Sequence, residues 1–538
     1  MKRRTFLKSS LAATALTPVM LGNVQARPST PLSLLSQLNQ QSNNNNILIL
    51  VQLFGGNDGL NTIIPADDDN YYNFRPNIGI AKSSLTNYNS DGVYFNPGLA
   101  NGNKSGLFAM SQDGTLAIIQ GIGYNPPNLS HFFSTDIWLS GVVTQDTSFS
   151  FNSGWLGRML ETQFPNFPTQ LPSDPLAINL GGFSLALDGT SGNMGIVVDN
   201  ASLQAGGLSS TDNALDDNAA GTRYATEYAF IQSVAQMSNT YASRVTSAYA
   251  AGSKKLKGNY ASDSFAAQMQ TVAALIAGGL NTSVYVVGTS GFDFHINEVN
   301  EGDATHSTGA HTSLLGTVAD AIAQFQSDMI LLGSSTADRV IGFTVSEFGR
   351  RPNDNGSYGT DHGSTSVQFA FGSQINGGVF GKAPDFTQLD GTGDFLWNDQ
   401  SNISFQSVYT SILTDWFGMT LTDAQTILQD QTGAVVPLAG LIKSPSGVAQ
   451  NPAAALTLSV YPNPMASSST ISFDLPVGSF AEITLTSMDG KSVQNVLSRT
   501  LSSGSFTIPL STDLPSGSYL LSLRAGSSRV ARVVEIIR

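Results

Sequence analysis

The chain has 538 residues, more than one hydrophobic core normally serves, so a large unit and at least one smaller one are expected. Only 12% of the residues are charged, about half the roughly 25% of an average globular protein, and Ser, Thr, Asn and Gly fill the gap, as on extracytoplasmic surfaces. The net charge of −14 argues against nucleic acid or an anionic membrane as partner, and the absence of cysteine excludes disulfides, thiolate metal sites and cysteine nucleophiles.

Residues 1–26 carry Lys2, Arg3 and Arg4, then an apolar run of about a dozen residues, then Val24-Gln25-Ala26. This is the grammar of a cleaved leader rather than of a spanning helix, which needs roughly 20 apolar residues. Its RRTFLK resembles the twin-arginine export signal. Residues 27–46, rich in Pro, Ser, Gln and Asn, read as a flexible spacer. No later segment is apolar for long enough to cross a bilayer.

From Ile47 onward the pattern alternates. ILILVQLF (Ile47 to Phe54) is a continuous apolar run of strand length that stops in Gly55-Gly56-Asn57-Asp58-Gly59. The same arrangement recurs at Thr115 to Gly123, Ser283 to Gly291 and Arg339 to Val345. Helical periodicity separates these runs over Thr222 to Ala251, Ser262 to Ala277 and Thr312 to Leu332, and a last helix is expected over Phe405 to Met419. The alternation predicts a doubly wound α/β fold with a mostly parallel sheet, whose ligand site lies beyond the carboxyl ends of the strands. Residues 441–455 read as a linker. Short alternating runs over 456–538 predict a β-sandwich, with Asp489-Gly490 as a hairpin turn.

The polar residues at those strand ends are the candidates for chemistry. Four of the five histidines, His295, His306, His311 and His362, fall between Val284 and Gly363 together with Asp293, Glu347, Arg350 and Asp361. Asp293 and His295 are two apart, so an extended backbone would project both to one face. Asp361-His362 lies in a Gly-flanked loop, and Asp58 in a Gly-rich turn. With His311, which leads into a helix, these residues could hold two divalent ions through N and O donors, zinc first, with manganese, magnesium or calcium as alternatives. His306 reads as a solvated loop residue. Ser130 stands where a helix begins: it is either a nucleophile with helix N–H groups to receive an oxyanion or an ordinary N-cap. His131 could be a ligand, a proton donor or a packing residue. Arg350 could clamp a substrate oxyanion, or an Arg could pair with Glu347 to hold the loop.

LFGGNDGLNTIIP (Leu53 to Pro65), GYNPPNLSHFFSTDIW (Gly123 to Trp138), SGWLGRML, GFDFHINE, SEFGRRPNDNGSYGTDHG and GGVFGKAPD (Gly377 to Asp385) together resemble the family called domain of unknown function 1501. The resemblance covers about residues 47–440. It implies an alkaline-phosphatase-like scaffold in which Asp58, Asp361 and His362 hold one metal, Asp293 and His295 a second, and Ser130 is the nucleophile or a bridging hydroxyl. SVYPNP (Ser459 to Pro464), LPSGSYLLSL and RVARVVEIIR resemble the sorting domain of the type IX secretion system. That resemblance implies type IX machinery as an export partner and a destination in the medium or at the cell surface, and the leader's resemblance implies twin-arginine machinery as another. The expected function is metal-dependent hydrolysis of a phosphate or sulfate ester, on a small anionic molecule or an extracellular polymer. The rival expectation is a non-catalytic surface protein that keeps the fold for binding.

Overall fold

The structure, a computed structural model, describes residues 45–443 apart from 89–91, 101–105, 182–183, 199–240 and 431, and residues 458–537 apart from 467, 476–478, 488–491, 502–503 and 526–527. The leader and almost all of the spacer, most of the helix expected over Thr222 to Ala251, the greater part of the linker and the Asp489-Gly490 turn lie outside these residues. The described part of that helix, 241–251, is helical. The chain divides into two compact units, 1–443 and 444–538.

The first unit is built on a nine-stranded sheet. Its strands are β1 (Ile47–Phe54), β2 (Leu116–Gly123), β3 (Ala177–Asn179), β4 (Gly195–Val197), β5 (Val284–Ser290), β6 (Val340–Val345), β7 (Thr365–Phe371), β8 (Gly378–Phe380) and β9 (Ile403–Ser404). Their order is β8-β2-β7-β6-β1-β5-β3-β4, with β9 also paired to β2. Strand β1 runs parallel to β5 and β6, whereas β7 is antiparallel to both of its neighbours, β2 and β6. The sheet is therefore mostly parallel, with β7 as the one reversed strand along its central path.

Continuous apolar runs form these strands because both faces are covered. In β1, Ile47, Ile49, Val51 and Leu53 pack on one side, where helices α3 (Ser264–Ala277) and α4 (Ala310–Leu331) supply Phe265, Met269, Leu315, Val318, Ile322 and Phe325. Leu48 and Leu50 face the other side and meet residues of α1 (His131–Ser140), α2 (Trp155–Gln163) and α5 (Phe405–Ser411), among them Trp138, Trp155 and Tyr409. Trp155 and Tyr409 stack with centroids 4.3 Å apart. The last helix is shorter than its periodicity suggests, because a π-helical turn over Ile412–Trp416 replaces the α-helical ladder.

The second unit is all-β. A three-stranded antiparallel sheet (Ser459–Tyr461, Ser468–Leu475, Gly504–Ser511) and a four-stranded one (Ser492–Leu501, Ser479–Ser487, Gly517–Ala525, Ser528–Ile536) share one core, in which Ile471, Phe473 and Leu510 of the first meet Ile483, Leu485, Leu521 and Leu523 of the second. Alternation of inward apolar and outward polar residues produces this two-sheet arrangement.

Leu50 is fully buried in the central strand. Leu50→Ala should destabilise the first unit by about 2–5 kcal/mol, through lost burial and the cavity left behind. Urea unfolding monitored by tryptophan fluorescence should show a lower midpoint with an unchanged slope.

Candidate functional site

Because β1, β2, β5 and β6 run the same way, the segments that follow them open on one edge of the sheet. β1 runs into Gly55 to Asp58, β2 into Tyr124 to His131, β5 into Gly291 to His295 and β6 into Ser346 and Glu347. The TDHG segment is a short strand (Thr360–Gly363) paired antiparallel with Gly349–Asp354, not a loop.

Close backbone contacts join these segments. Gly55 has φ +124, and a Cβ there would lie 2.3 Å from the amide nitrogen of Asp293. A Cβ on Gly359 would lie 2.4 Å from the carbonyl carbon of His295. Thr360 N donates to Phe294 O at 3.0 Å, Asn297 N to Ser357 O at 3.2 Å and Glu298 N to Tyr358 O at 2.6 Å. Asn297 and Tyr358 sit at φ 54 and 55. For a bulky tyrosine this is a strained conformation, held by the surrounding bonds.

Arg350 lies beneath the junction and is almost entirely buried. Its Nε donates to Gly56 O at 2.7 Å, its Nη1 to Thr360 O at 3.0 Å, and its Nη2 to Gly55 O, to Phe292 O at 3.3 Å and to Asp293 Oδ1 at 2.7 Å. These acceptors occupy the fork that was expected to clamp a substrate, so Arg350 is a positioning residue. Burial works against the charge of Asp293, but the bonded guanidinium outweighs it and holds the carboxyl below its ordinary range.

Four side chains converge above Arg350. His131 Nε2 is 3.5 Å from Asp293 Oδ2, His295 Nε2 is 3.2 Å from Asp293 Oδ1, and His362 Nε2 is 3.5 Å from the same oxygen. His295 Nε2 and His362 Nε2 are 2.9 Å apart. Asp361 Oδ1 faces His295 Nδ1 at 3.6 Å. Ligand atoms of His131, Asp293 and His362 all lie within 4.8 Å of one another.

The outer partners fix the tautomers. His362 Nδ1 lies 2.9 Å from the carbonyl oxygen of Leu129, which can only accept, so Nδ1 carries the proton and Nε2 a lone pair. His131 Nδ1 is 2.7 Å from Glu347 Oε1, which also accepts from Gly55 N at 2.9 Å. Its Nε2 is directed at the cluster. Imidazoles anchored through Nδ1 by a carboxylate or a carbonyl, with Nε2 facing a common point, are the usual arrangement of metal-binding histidines. Burial lowers the His362 pKa, favouring the neutral ring that a cation needs.

Ser130 is the N-cap residue of the ten-residue helix α1. Its side chain makes no capping bond, and its backbone N–H is held by Asn128 Oδ1 at 2.9 Å. Its two chain neighbours, Leu129 and His131, both touch the cluster.

Asp58 and His311, expected as ligands, belong to a separate buried network instead. Asp58 Oδ1 accepts from Leu60 N at 3.1 Å and from Asn61 N at 3.4 Å, and Oδ2 pairs with Arg75 Nη1 at 2.5 Å. A glycine-flanked Asp at a strand end is as well suited to capping a helical turn as to binding an ion, which is why its sequence signal misleads. Burial opposes the Asp58 charge, and Arg75 more than compensates, lowering its pKa. Glu298 accepts from Asn61 Nδ2 at 2.8 Å through Oε1, while its buried Oε2 finds no hydrogen-bond partner among the described residues. Burial and the neighbouring Asp58 charge push the Glu298 pKa well up. His311 Nε2 lies 3.0 Å from Asn57 Oδ1. His306 Nδ1 lies 3.1 Å from Gly79 O, away from both groups. The sequence offers no periodicity or motif that links Arg75 to Glu298, so this network was not foreseen.

Residues 130–393 match a family described as "Protein of unknown function (DUF1501)", and this span contains every residue of the cluster. Residues 459–536 match a "Secretion system C-terminal sorting domain". The chain is therefore exported, to the cell surface or the medium, and the type IX secretion machinery is its partner. Among the described residues, no helix is long and apolar enough to cross a membrane. No curated protein matches the chain. Among solved structures, CopC from Methylosinus trichosporium OB3b is 20% identical, with a match that covers 15% of this chain and 91% of that one at a TM-score of 0.12.

Burial pushes the His311 pKa down to about 4. Between pH 6.5 and 4 the unfolded chain binds a proton at this residue and the folded chain does not, so its contribution is full above pH 6.5 and is lost as pH falls to 4. The loss is roughly 3 kcal/mol. Glu298, with its raised value, acts in the opposite sense, favouring the folded state at low pH, so His311 must be isolated by difference. His311→Gln should flatten the acid side of the stability curve relative to the native protein, as measured by urea unfolding at several pH values.

Proposed function

We propose that this exported protein is a metal-dependent hydrolase of phosphate or sulfate esters, with its metal held by His131, His295 and His362 through Nε2 and by Asp293. The observation that carries this reading is the 2.9 Å contact between the Nε2 atoms of His295 and His362, beside the Asp293 carboxylate. With the His362 proton committed to Leu129, two ring nitrogens at that distance need a proton or a cation between them. The second set of anchors favours the cation, since Glu347 holds His131 as metal sites hold their ligands. All donors are N and O, which suits zinc first and also admits manganese.

A divalent ion there would supply Lewis-acid polarisation and charge neutralisation. The protein's own contribution is positioning. Arg350 fixes Asp293, Glu347 fixes His131 and Leu129 O fixes His362. The first-turn N–H groups of α1 can receive the oxygens of a tetrahedral anion, helped by the positive end of the helix. Ser130 Oγ is the nucleophile in this reading. Its attack on phosphorus or sulfur, with loss of its proton to solvent, breaks the bond to the leaving oxygen, which is reprotonated by water. A second water then releases the oxyanion and restores the serine. The alkaline-phosphatase-like assignment belongs to the same reading, supported by a site at the carboxyl edge of a mostly parallel sheet. So does a twin-arginine route of export, supported by Arg3 and Arg4 ahead of the apolar run.

Metal analysis of the purified full chain after zinc loading should give one tightly held ion. The double variant His131→Ala, His362→Ala should lose it, with affinity down by about 100-fold or more, each ligand's supporting partner alone being worth about 10–100-fold. No retained ion from zinc, manganese, magnesium or calcium would overturn the reading. A bound ion with no turnover of any phosphate or sulfate ester would reduce it to a binding protein.

A further inference from the structure

Large apolar side chains stand exposed beside the cluster. Phe132, directly after His131, is 87% exposed, and Ile296, directly after His295, is 61% exposed. Phe54, beside Gly55 at the end of β1, is 37% exposed. Two of the residues that deliver polar groups to the site, His131 and His295, are therefore each followed by one uncovered apolar residue.

The exposure of Phe132 is not for want of local cover. Its neighbour Phe133 packs against Phe151 at 5.2 Å between centroids, and Phe151 against Phe149 at 5.0 Å. The 142–153 segment thus covers one phenyl ring of the first turn of α1 and leaves the other open. The space between the ends of β1 and β6 and helix α1, lined by Phe54, Thr135, Trp138 and Glu347 among others, measures about 10 Å³ and admits no more than a single water. The first turn of α1 carries Ser130, His131 and the exposed Phe132 in succession.

We propose that Phe132 and Ile296 form the apolar half of the substrate site, so that the preferred substrate is an anionic ester with an aromatic or large apolar group rather than a small polar one. This inference rests on the hydrolase reading above. The tetrahedral anion would bind at the ion held by His131, His295, His362 and Asp293 and at the helix N-terminus, with its organic group over Phe132, whose exposed ring suits stacking. Ile296 borders the same group from the His295 side.

The test compares two non-hydrolysable anions with the same headgroup, phenylphosphonate and methylphosphonate, by titration calorimetry on the zinc-loaded full chain. Phenylphosphonate should bind about 10-fold more tightly, and Phe132→Ala should bring the ratio of the two affinities towards one. Ile296→Ala should lower the ratio by a smaller factor. The side chain of Phe132 is almost wholly exposed, so its removal leaves the fold intact, and zinc content provides the check. Equal affinities in the native protein, or a ratio unmoved by both substitutions, would overturn this inference while leaving the hydrolase reading standing. Failure of both phosphonates to bind would overturn the hydrolase reading and this inference with it.

Discussion

A buried guanidinium organises the site. Arg350 gathers the carbonyl oxygens of Gly55, Gly56, Phe292 and Thr360 and the carboxylate of Asp293, so three chain segments far apart in sequence are held by one planar cation. An arginine with so many charge-assisted bonds tolerates burial because its donors are satisfied, and removing it would strand the acceptors together with a carboxylate. The placement of Asp293 follows from this residue. Glu347 acts similarly one layer away by joining Gly55 N to His131 Nδ1.

Beneath this layer the Gly55 to Thr62 turn has two faces. Through Gly55 and Gly56 it meets Arg350 and Glu347, and through Asn57, Asp58 and Asn61 it enters the network of Arg75, Glu298 and His311. The segment from Phe292 to Glu298 is divided in the same way: Asp293 and His295 turn towards the site, whereas Phe292 and Phe294 pack on the His311 ring with centroids 6.1 and 5.6 Å away. A buried ion pair is a poor source of net stability but a strong constraint on which groups may lie beside it. In this protein it fixes the turn whose opposite face carries the polar cluster.

The strands were legible in the sequence because burial on both faces leaves continuous apolar runs: the run from Ile47 to Phe54 is a strand over those same residues, and the other three differ at their ends by one residue. The reversed strand Thr365–Phe371 was not foreseen, since TSVQFAF carries polar residues whose covering depends on tertiary neighbours. At the site, residue type and strand-end position were enough to single out Asp293, His295, Asp361 and His362, which the structure brings together. They could not separate Asp58 from these, because a ligand and a capping, ion-paired Asp look alike in one dimension. Nor could they assign His131, whose direction is set by Glu347, 216 residues away.

The central claim is that three imidazoles and Asp293 surround one ion. X-ray absorption on the zinc-loaded full chain tests it most directly, because scattering from imidazole rings is distinguishable from that of carboxylate and water. The account predicts three imidazole ligands at about 2.0–2.1 Å, with the remaining donors oxygen, from Asp293 and from a solvent position that a substrate would take. An all-oxygen shell, or one with a single imidazole, would contradict it.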